Sequence, residues 1–269
     1  MTGLAREWVY DDMPHIDHLP RAILFRSQCI RPGHRVHIHT HAWHKLTYTV
    51  SGTLIVFDDN SRFLLPPEQA MWMPAGIPHA TGALQQAEFR SLYIADRPDL
   101  RMPNSITTIT VTPLLRSLIL ELSEIERNGD KDAYIRRVEA LVLEQLPRQT
   151  VRNLSLPWPK GPILKKICDQ LYADPSDMRD LEEWGREFGA SARTLTRRFE
   201  HELGIGFREW RNRLCLFRAI DLLQTTTNSI TEIAFMLGYS TPSAFSYMFR
   251  QQMGSSPSSW RRAQERQPA

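Results

Sequence analysis

Leu181–Trp210, LEEWGREFGASARTLTRRFEHELGIGFREW, recurs as Ile230–Trp260, ITEIAFMLGYSTPSAFSYMFRQQMGSSPSSW. Leu181, Glu183, Trp184 and Gly189 fall on Ile230, Glu232, Ile233 and Gly238 at a shift of 49; Leu195, Phe199, Gly204 and Trp210 fall on Phe245, Phe249, Gly254 and Trp260 at a shift of 50. The one-residue slip lies between Gly189-Ala190-Ser191 and Gly238-Tyr239-Ser240-Thr241, where a turn absorbs an insertion that a helix would not. Leu181, Trp184, Gly185 and Phe188 are spaced as the apolar stripe of a short helix, which Gly189 can end in a left-handed conformation. Ser191 is a good N-cap for a second helix that buries Leu195, Phe199 and Leu203 and turns Arg193, Thr196, Arg197 and Glu200 outward. In the second copy Thr241 caps, Pro242 takes the first turn, Ala244, Phe245, Met248 and Phe249 are expected to pack, and Ser243, Ser246 and Tyr247 face out. Each copy reads as a helix-turn-helix. Arg and Thr near a helix N-terminus suit the major groove, where Arg can bridge the two acceptors of guanine. An all-helical protein-binding module uses the same apolar spacing, but two matched copies favour duplex DNA as the partner.

Ser191-Ala192-Arg193-Thr194-Leu195-Thr196-Arg197-Arg198-Phe199, Gly204, Trp210, Arg213-Leu214, Ala219, Leu222-Leu223, Ile233-Ala234, Gly238-Tyr239, Ser243-Ala244-Phe245, Phe249-Arg250, Gly254, Pro257 and Trp260-Arg261-Arg262 carry a resemblance to the AraC/XylS transcriptional regulators. It spans about the last 110 residues. It implies that one long helix, here about Phe207 to Gln224, joins the two units so that both recognition helices enter successive major grooves. By position, Arg193, Thr196 and Arg197 would contact bases. Ser243, Ser246 and Tyr247 would do so from the second unit, more weakly for want of an Arg. Gly185 departs from the Ala usual in the family, and propensity predicts a helix looser by up to about 1 kcal/mol.

The 269 residues suffice for two domains. Lys and Arg number 33 against 30 Asp and Glu, a net charge of only +3, but from Ala190 onward the balance is eleven to six, so the basic excess lies where phosphates would be met. Cys29, Cys168 and Cys215 are scattered with no CxxC pair, which points to reduced thiols and counts against cysteine-based methyl transfer. Arg6, Glu7, Asp11 and Asp12 exclude the apolar core of a signal peptide, and no run approaches the ~18 apolar residues of a membrane span. A cytoplasmic protein without membrane contact is expected.

Short β-rich runs recur before residue 112: 22–28, 35–40, 46–50, 53–57, 62–65, 70–73, 88–94 and 106–111, with Trp8-Val9-Tyr10 a candidate edge strand. Ser51-Gly52, Asp58-Asp59-Asn60-Ser61, Pro66-Pro67 and Pro74-Ala75-Gly76 punctuate them, and the spacing argues for a small sandwich or barrel. His39-Thr40-His41-Ala42-Trp43-His44-Lys45-Leu46 with Gly52, and Pro74-Ala75-Gly76-Ile77-Pro78-His79, resemble the two motifs of the cupin jelly roll. Such a domain, joined to an AraC-type C-terminus, implies a small-molecule effector. In one strand His37, His39 and His41 would share a face and a hairpin could bring His79 beside them, a set of zinc-compatible imidazoles. The alternative is histidines that hydrogen-bond a ligand or sit in the barrel mouth. A metal-binding cupin supplies a carboxylate where this chain has Lys45, a cation that repels metal and suits an anionic ligand; His44 is the substitute donor. No cofactor is required by this reading, with a divalent metal at His39, His41 and His79 as the addition. Trp43, Lys45, Tyr48 and Trp72, with Met73, are the candidate effector contacts.

After Met102-Pro103 the pattern turns helical. Leu114, Leu115, Leu118, Ile119 and Leu122 give one amphipathic helix and Tyr134, Ile135, Val138, Leu141, Val142 and Leu146 another, with Asn128-Gly129-Asp130 between them and Pro147 as the stop. They either cover the barrel or form a dimer surface. Pro157, Pro159 and Gly161 make 154–162 a linker. Arg208, Arg211 and Arg218 on the long helix are candidate phosphate contacts. The expected fold is therefore α+β and multidomain: a cupin-like jelly-roll barrel (1–112), a helical connector (113–153), the linker, and an all-α double helix-turn-helix (163–266). The expected function is a ligand-responsive transcription factor, a homodimer on double-stranded DNA that acts with RNA polymerase, the effector altering how the connector places its paired DNA-binding domains. The alternative, a metal-dependent cupin enzyme with a DNA-binding tail, needs an acid or base beside an open metal position.

Overall fold

A computed structural model describes residues 8–12, 16–59, 61–83, 86–128, 132–152 and 155–265. The chain divides into two units, one of Trp8–Asp59 and Phe63–Leu154, the other principally Ser155–Ala269. Gly129 and Asp130 of the expected helix break, Asn60 of an expected turn, and Leu154 and residue 266 at expected boundaries lie outside the described residues.

The N-terminal unit contains β1 (Val9–Asp11), β2 (Ile23–Ile30), β3 (His34–Val36), β4 (His44–Ser51), β5 (Leu54–Phe57), β6 (Ser61–Leu65), β7 (Gln69–Met73), β8 (Ala80–Ala83), β9 (Ala87–Ile94), β10 (Thr107–Thr110) and β11 (Thr150–Arg152). One sheet runs β1-β3-β8-β5-β6 and the other β11-β10-β7-β4-β9-β2. β1 is an edge strand, paired in parallel with β3. β8 escapes the pattern reading because Ala80-Thr81-Gly82-Ala83 lacks large β-formers; it is a strand because β3 and β5 flank it.

The pleat of β4 sorts its side chains. Lys45 and Thr47 lie opposite Met73 and Met71 of β7, whereas Leu46 and Tyr48 lie opposite Trp72 and Ala70. Met71 and Met73 join Leu54, Val56 and Phe89 in a core drawn from both sheets, so this face points between them. Leu46, Tyr48, Trp72, Leu92 and Ile94 instead form a core with Leu115, Ile119 and Leu122 of α1 (Pro113–Asn128) and Val138 and Val142 of α2 (Asp132–Gln145). The connector helices thus cover the outer face of the second sheet. Leu114, Tyr134 and Leu141 of the predicted apolar stripes stay exposed.

The C-terminal unit opens with β12 (Ser155–Pro157), inside the stretch expected to be linker. Leu156 is buried there, and the Trp210 indole donates to the Pro157 carbonyl at 2.7 Å, so this proline-bearing segment is docked onto the helical domain. α3 (Pro162–Ala173) is followed by α4 (Leu181–Phe188) and α5 (Ala192–Leu203), then α6 (Phe207–Thr225), then α7 (Ile230–Met236), α8 (Pro242–Met253) and α9 (Pro257–Glu265). α6 buries Trp210, Leu214, Phe217, Ile220 and Leu223, and also Cys215, Leu216, Ala219 and Leu222. Apolar residues nearly all round mark a helix packed on several sides, here by α5, α7, α8 and α9.

Each turn opens on a left-handed glycine, Gly189 at φ 66° and Gly238 at φ 79°. Gly185 corrects the propensity argument. Its carbonyl accepts from Ala190 N at 2.9 Å, and a Cβ at Gly185 would stand 2.2 Å from the Ala190 oxygen. That neighbour is backbone and cannot swing aside. Gly185→Ala is expected to lower unfolding stability by about 1–3 kcal/mol through overpacking, against the gain of about 1 kcal/mol that helix propensity alone gives, as read from denaturant midpoints.

Candidate nucleic-acid interface and effector site

The frame of each helix-turn-helix is set by caps. Asp180 accepts from the backbone N–H of Glu182 and Glu183 while Glu183 accepts from Asp180 N, a reciprocal box that Ser229 and Glu232 repeat on α7. Ser191 accepts from Thr194 N on α5, and Thr241 from Ala244 N on α8. Leu195, Phe199 and Leu203 pin α5 from below, and Phe245, Met248 and Phe249 pin α8. Buried on one side and capped at the start, each helix holds its outward face rigidly.

On α5 the outward face is Arg193, Thr196, Arg197 and Glu200, all exposed. Among the described residues neither Arg193 nor Arg197 has an ion-pair partner, so both guanidinium forks are available to an external acceptor. The Thr196 hydroxyl donates to the Ala192 carbonyl at 3.0 Å, which leaves its methyl and one acceptor for a partner. On α8 Ser243 and Tyr247 are exposed, Tyr247 at 69%, and Ser246 is half-buried. Ala244, expected in the packing, is exposed and belongs to the outward face, because Phe245, Met248 and Phe249 already fill the buried stripe. The second face also does carry an arginine. Arg250, seven residues past Ser243 and so on the same helical stripe, is exposed near the C-terminal end of α8.

The phosphate candidates on α6 separate. Arg208 is exposed, whereas Arg211 donates to the Asp177 carbonyl and Arg218 is 3% exposed and paired with Asp221 at 3.2 Å. Arg211 and Arg218 hold the domain together. The distinction turns on the far sides of α6, which its own periodicity leaves unspecified.

In the N-terminal unit three histidines converge. The strand expected over 35–40 stops at Val36, so His37 leaves the set: it is exposed and stacks on Tyr10 at 4.4 Å between ring centroids. His39 and His79 exchange both backbone hydrogen bonds, each 3.0 Å, in an isolated bridge. This brings their rings to 4.5 Å, with His41 5.0 Å from His79. One ring nitrogen from each of the three lies within 4.8 Å of the others. Every Nδ1 is within hydrogen-bonding reach of a carbonyl: His37 O for His39, Trp43 O for His41 and Ile77 O for His79. The proton therefore sits on Nδ1, and each Nε2 carries a lone pair that has no partner among the described residues.

Burial holds these rings neutral, aided by the nearby Lys45 charge. Desolvation first and Lys45 second push His41 down to about 4 and His79 down to about 2, and desolvation lowers His39 as well. Lys45 is itself buried and desolvation brings it down to about 8; its ammonium lies over the Tyr93 ring at 5.4 Å. Tyr93 was not legible as part of the site, since it reaches Lys45 only through the β4–β9 pairing across 48 residues.

The other candidates are resolved by the pleat. Trp43 stays beside the cluster, its ring stacked on His41 at 6.1 Å. His44 points to the other face and cannot serve as a fourth donor: Nε2 is 3.0 Å from Asp96 Oδ1 and Nδ1 accepts from Ala75 N. Tyr48 and Trp72 are likewise on the helix-covered face, bonded to Arg116 and to the Pro103 carbonyl, so neither walls the space that Lys45 and Met73 face.

A β unit with a polar interior joined to a paired, capped helix-turn-helix defines a ligand-sensing, DNA-binding regulator of transcription. The family model described as an AraC-like ligand binding domain matches residues 27–144, and that described as a helix-turn-helix domain matches residues 184–263. The chain is similar to the HTH-type transcriptional regulator NimR of Escherichia coli (strain K12), 29% identical over 220 residues, 82% of this chain and 80% of that one. It is 24% identical over 231 residues to the HTH-type transcriptional activator RhaS of Enterobacter sp. (strain 638), 81% of this chain and 79% of that one. A solved AraC-type DNA-binding-domain protein from Chromobacterium violaceum is 30% identical over 40% of this chain and 96% of its own, at a TM-score of 0.37. The chain belongs to the AraC family of transcriptional regulators. These relatives are regulators and not enzymes, which leaves the metal-dependent enzyme reading without support. No helix among the described residues is long and apolar enough to cross a membrane.

Trp72→Ala is expected to cost about 3–5 kcal/mol of unfolding stability, as a fully buried aromatic should. Trp43→Ala at its half-buried position should cost much less; near-equal denaturant midpoints would contradict the face assignment.

Proposed function

We propose that this regulator reads its operator as a homodimer, with α5 and α8 in the major groove and with a small molecule held between the two sheets as the signal. The observation that carries the DNA reading is the pair of unpartnered guanidinium groups on the capped, outward face of α5. Arg193, Thr196 and Arg197 make the base contacts. Ser243, Ser246 and Tyr247, joined by Arg250, contribute the second, less basic reading face.

What supports an effector between the sheets is the polarity of that interior. Beside Lys45, the hydroxyls of Thr47, Thr81 and Thr108 are buried with no partner among the described residues, although their cross-strand neighbours include Met71 and Val56. Buried polar atoms without partners cost about 1–3 kcal/mol each, and a ligand with matching donors removes that cost. Exposed Leu114, Tyr134 and Leu141 on the two connector helices support a second copy as partner. RNA polymerase is the partner through which such a regulator changes transcript output, in the cytoplasm where both are found.

Fragments selected from genomic DNA by the full chain give the operator. Arg197→Ala should weaken binding to it by about 1–3 kcal/mol, and binding to random duplex far less. Equal losses on both, measured at fixed salt, would make Arg197 a phosphate contact and remove it from the reading face.

A further inference from the structure

The three unpartnered Nε2 atoms are the strongest unexplained feature of the N-terminal unit. Satisfied Nδ1 atoms fix the tautomer and aim of each ring, as backbone carbonyls do behind metal-bound imidazoles. His79 is fully buried, so its Nε2 loses its hydration with nothing given in return. Hydrogen bonds among the rings do not resolve this, because three Nδ1–H tautomers present three acceptors and no donor to the shared centre. A proton at the centre is disfavoured by burial and by Lys45. What three converging lone pairs at this spacing can share is a cation with soft-to-borderline preference. Tetrahedral metal–nitrogen bonds of about 2.0–2.1 Å place ligand atoms about 3.4 Å apart, so ring nitrogens that lie within 4.8 Å of one another close on an ion by side-chain rotation, the widest pair by about 1 Å.

The set is unusual in charge. Among the described residues no Asp or Glu joins the cluster. A divalent ion on three neutral ligands would keep its full charge, with the Lys45 ammonium close enough to act on all three rings. An anion in the remaining position would offset that charge, and it would meet Lys45 as well as the metal.

We propose that His39, His41 and His79 bind a divalent ion of the zinc, cobalt or nickel class through Nε2, and that its open position takes an anionic ligand, a carboxylate or similar oxyanion, paired with Lys45. The metal half stands by itself; the ligand half rests on this unit being the effector sensor and names the chemical class of that effector. Two cations facing one ligand position would select for charge before they select for shape, so neutral analogues of the signal would be rejected.

The test uses the full chain, freed of metal by chelator dialysis and titrated with Co(II). One ion per chain is expected, with a visible spectrum of nitrogen-ligated cobalt and a rise in melting temperature. Adding acetate or azide should then shift that spectrum. Lys45→Met should keep the stoichiometry and lose the shift, and His41→Gln, at a half-buried position, should lose the metal. Substoichiometric binding by the unaltered chain overturns the proposal whatever the variants do. A stoichiometric ion whose spectrum ignores the anions, or shifts equally in Lys45→Met, overturns the ligand half. Operator binding measured on the same sample separates the two readings: metal retained with no operator binding refutes the regulator and leaves the metal site standing.

Discussion

The strand β4 imposes the constraint on which the N-terminal unit depends. It is paired along both edges, with β7 and with β9, so its register cannot slip without breaking two ladders. Every second side chain is therefore committed to one face. Leu46 and Tyr48 go to the helices, and Lys45, Thr47 and Thr49 go between the sheets. An aliphatic or aromatic residue at the Lys45 position would extend the core of Met71, Met73 and Phe89. A lysine there instead places a charge in an enclosed, weakly screening environment, where its field reaches the His39, His41 and His79 rings. Burial of one amine and the neutrality of three imidazoles are thus parts of one arrangement.

The C-terminal unit depends on α6 in the same way. A helix buried almost all round keeps little surface of its own, so its neighbours take their positions from it. Trp210 shows the economy of this: its ring lies among Trp158 and Phe199 while its indole N–H is satisfied by the Pro157 carbonyl. The expected linker is consequently part of the domain's packing, with the Pro157 carbonyl serving as the acceptor.

How much of this was legible in the sequence follows the range of the interaction. Helix ends, caps and stripes of the repeat depend on residues within a turn of each other: α5 and α8 begin after Ser191 and Thr241 and α4 ends before Gly189 as read, whereas the caps Asp180 and Ser229 that begin α4 and α7 were not singled out. The family resemblance and the positions of most strands along the chain were legible for similar reasons, with β8 missed for its small residues and β11 and β12 missed because they lie in the stretches expected to be connector and linker. What failed needed long-range pairing. The pleat alone would have separated Tyr48 and His44 from Lys45, but which face pointed inward required knowing that α1 and α2 cover the other. His37 was grouped with His39 and His41 on the assumption of a continuous strand, and the bridge to His79 shows that the chain turns first. Gly185 looked like a local weakness because the carbonyl of Ala190, across the turn, cannot be seen in a propensity.

The two reading heads show how a repeated scaffold can be kept while its information content changes. Asp180 with Glu183 does for α4 what Ser229 with Glu232 does for α7, and Ser191 and Thr241 are interchangeable as caps. Those positions fix where each helix begins and how it lies on its neighbour. The outward positions carry no such duty, and here they differ in chemistry: two arginines, a threonine and a glutamate on α5, two serines, an alanine and a tyrosine with one distant arginine on α8. Arginine forks discriminate bases through paired hydrogen bonds, whereas serine hydroxyls accept either sense of bond and Ala244 offers only contact to a methyl group. On the proposed reading the first head would supply most of the base discrimination and the second would fix register and spacing, an asymmetry that side-chain chemistry alone would produce once both helices are held equally well.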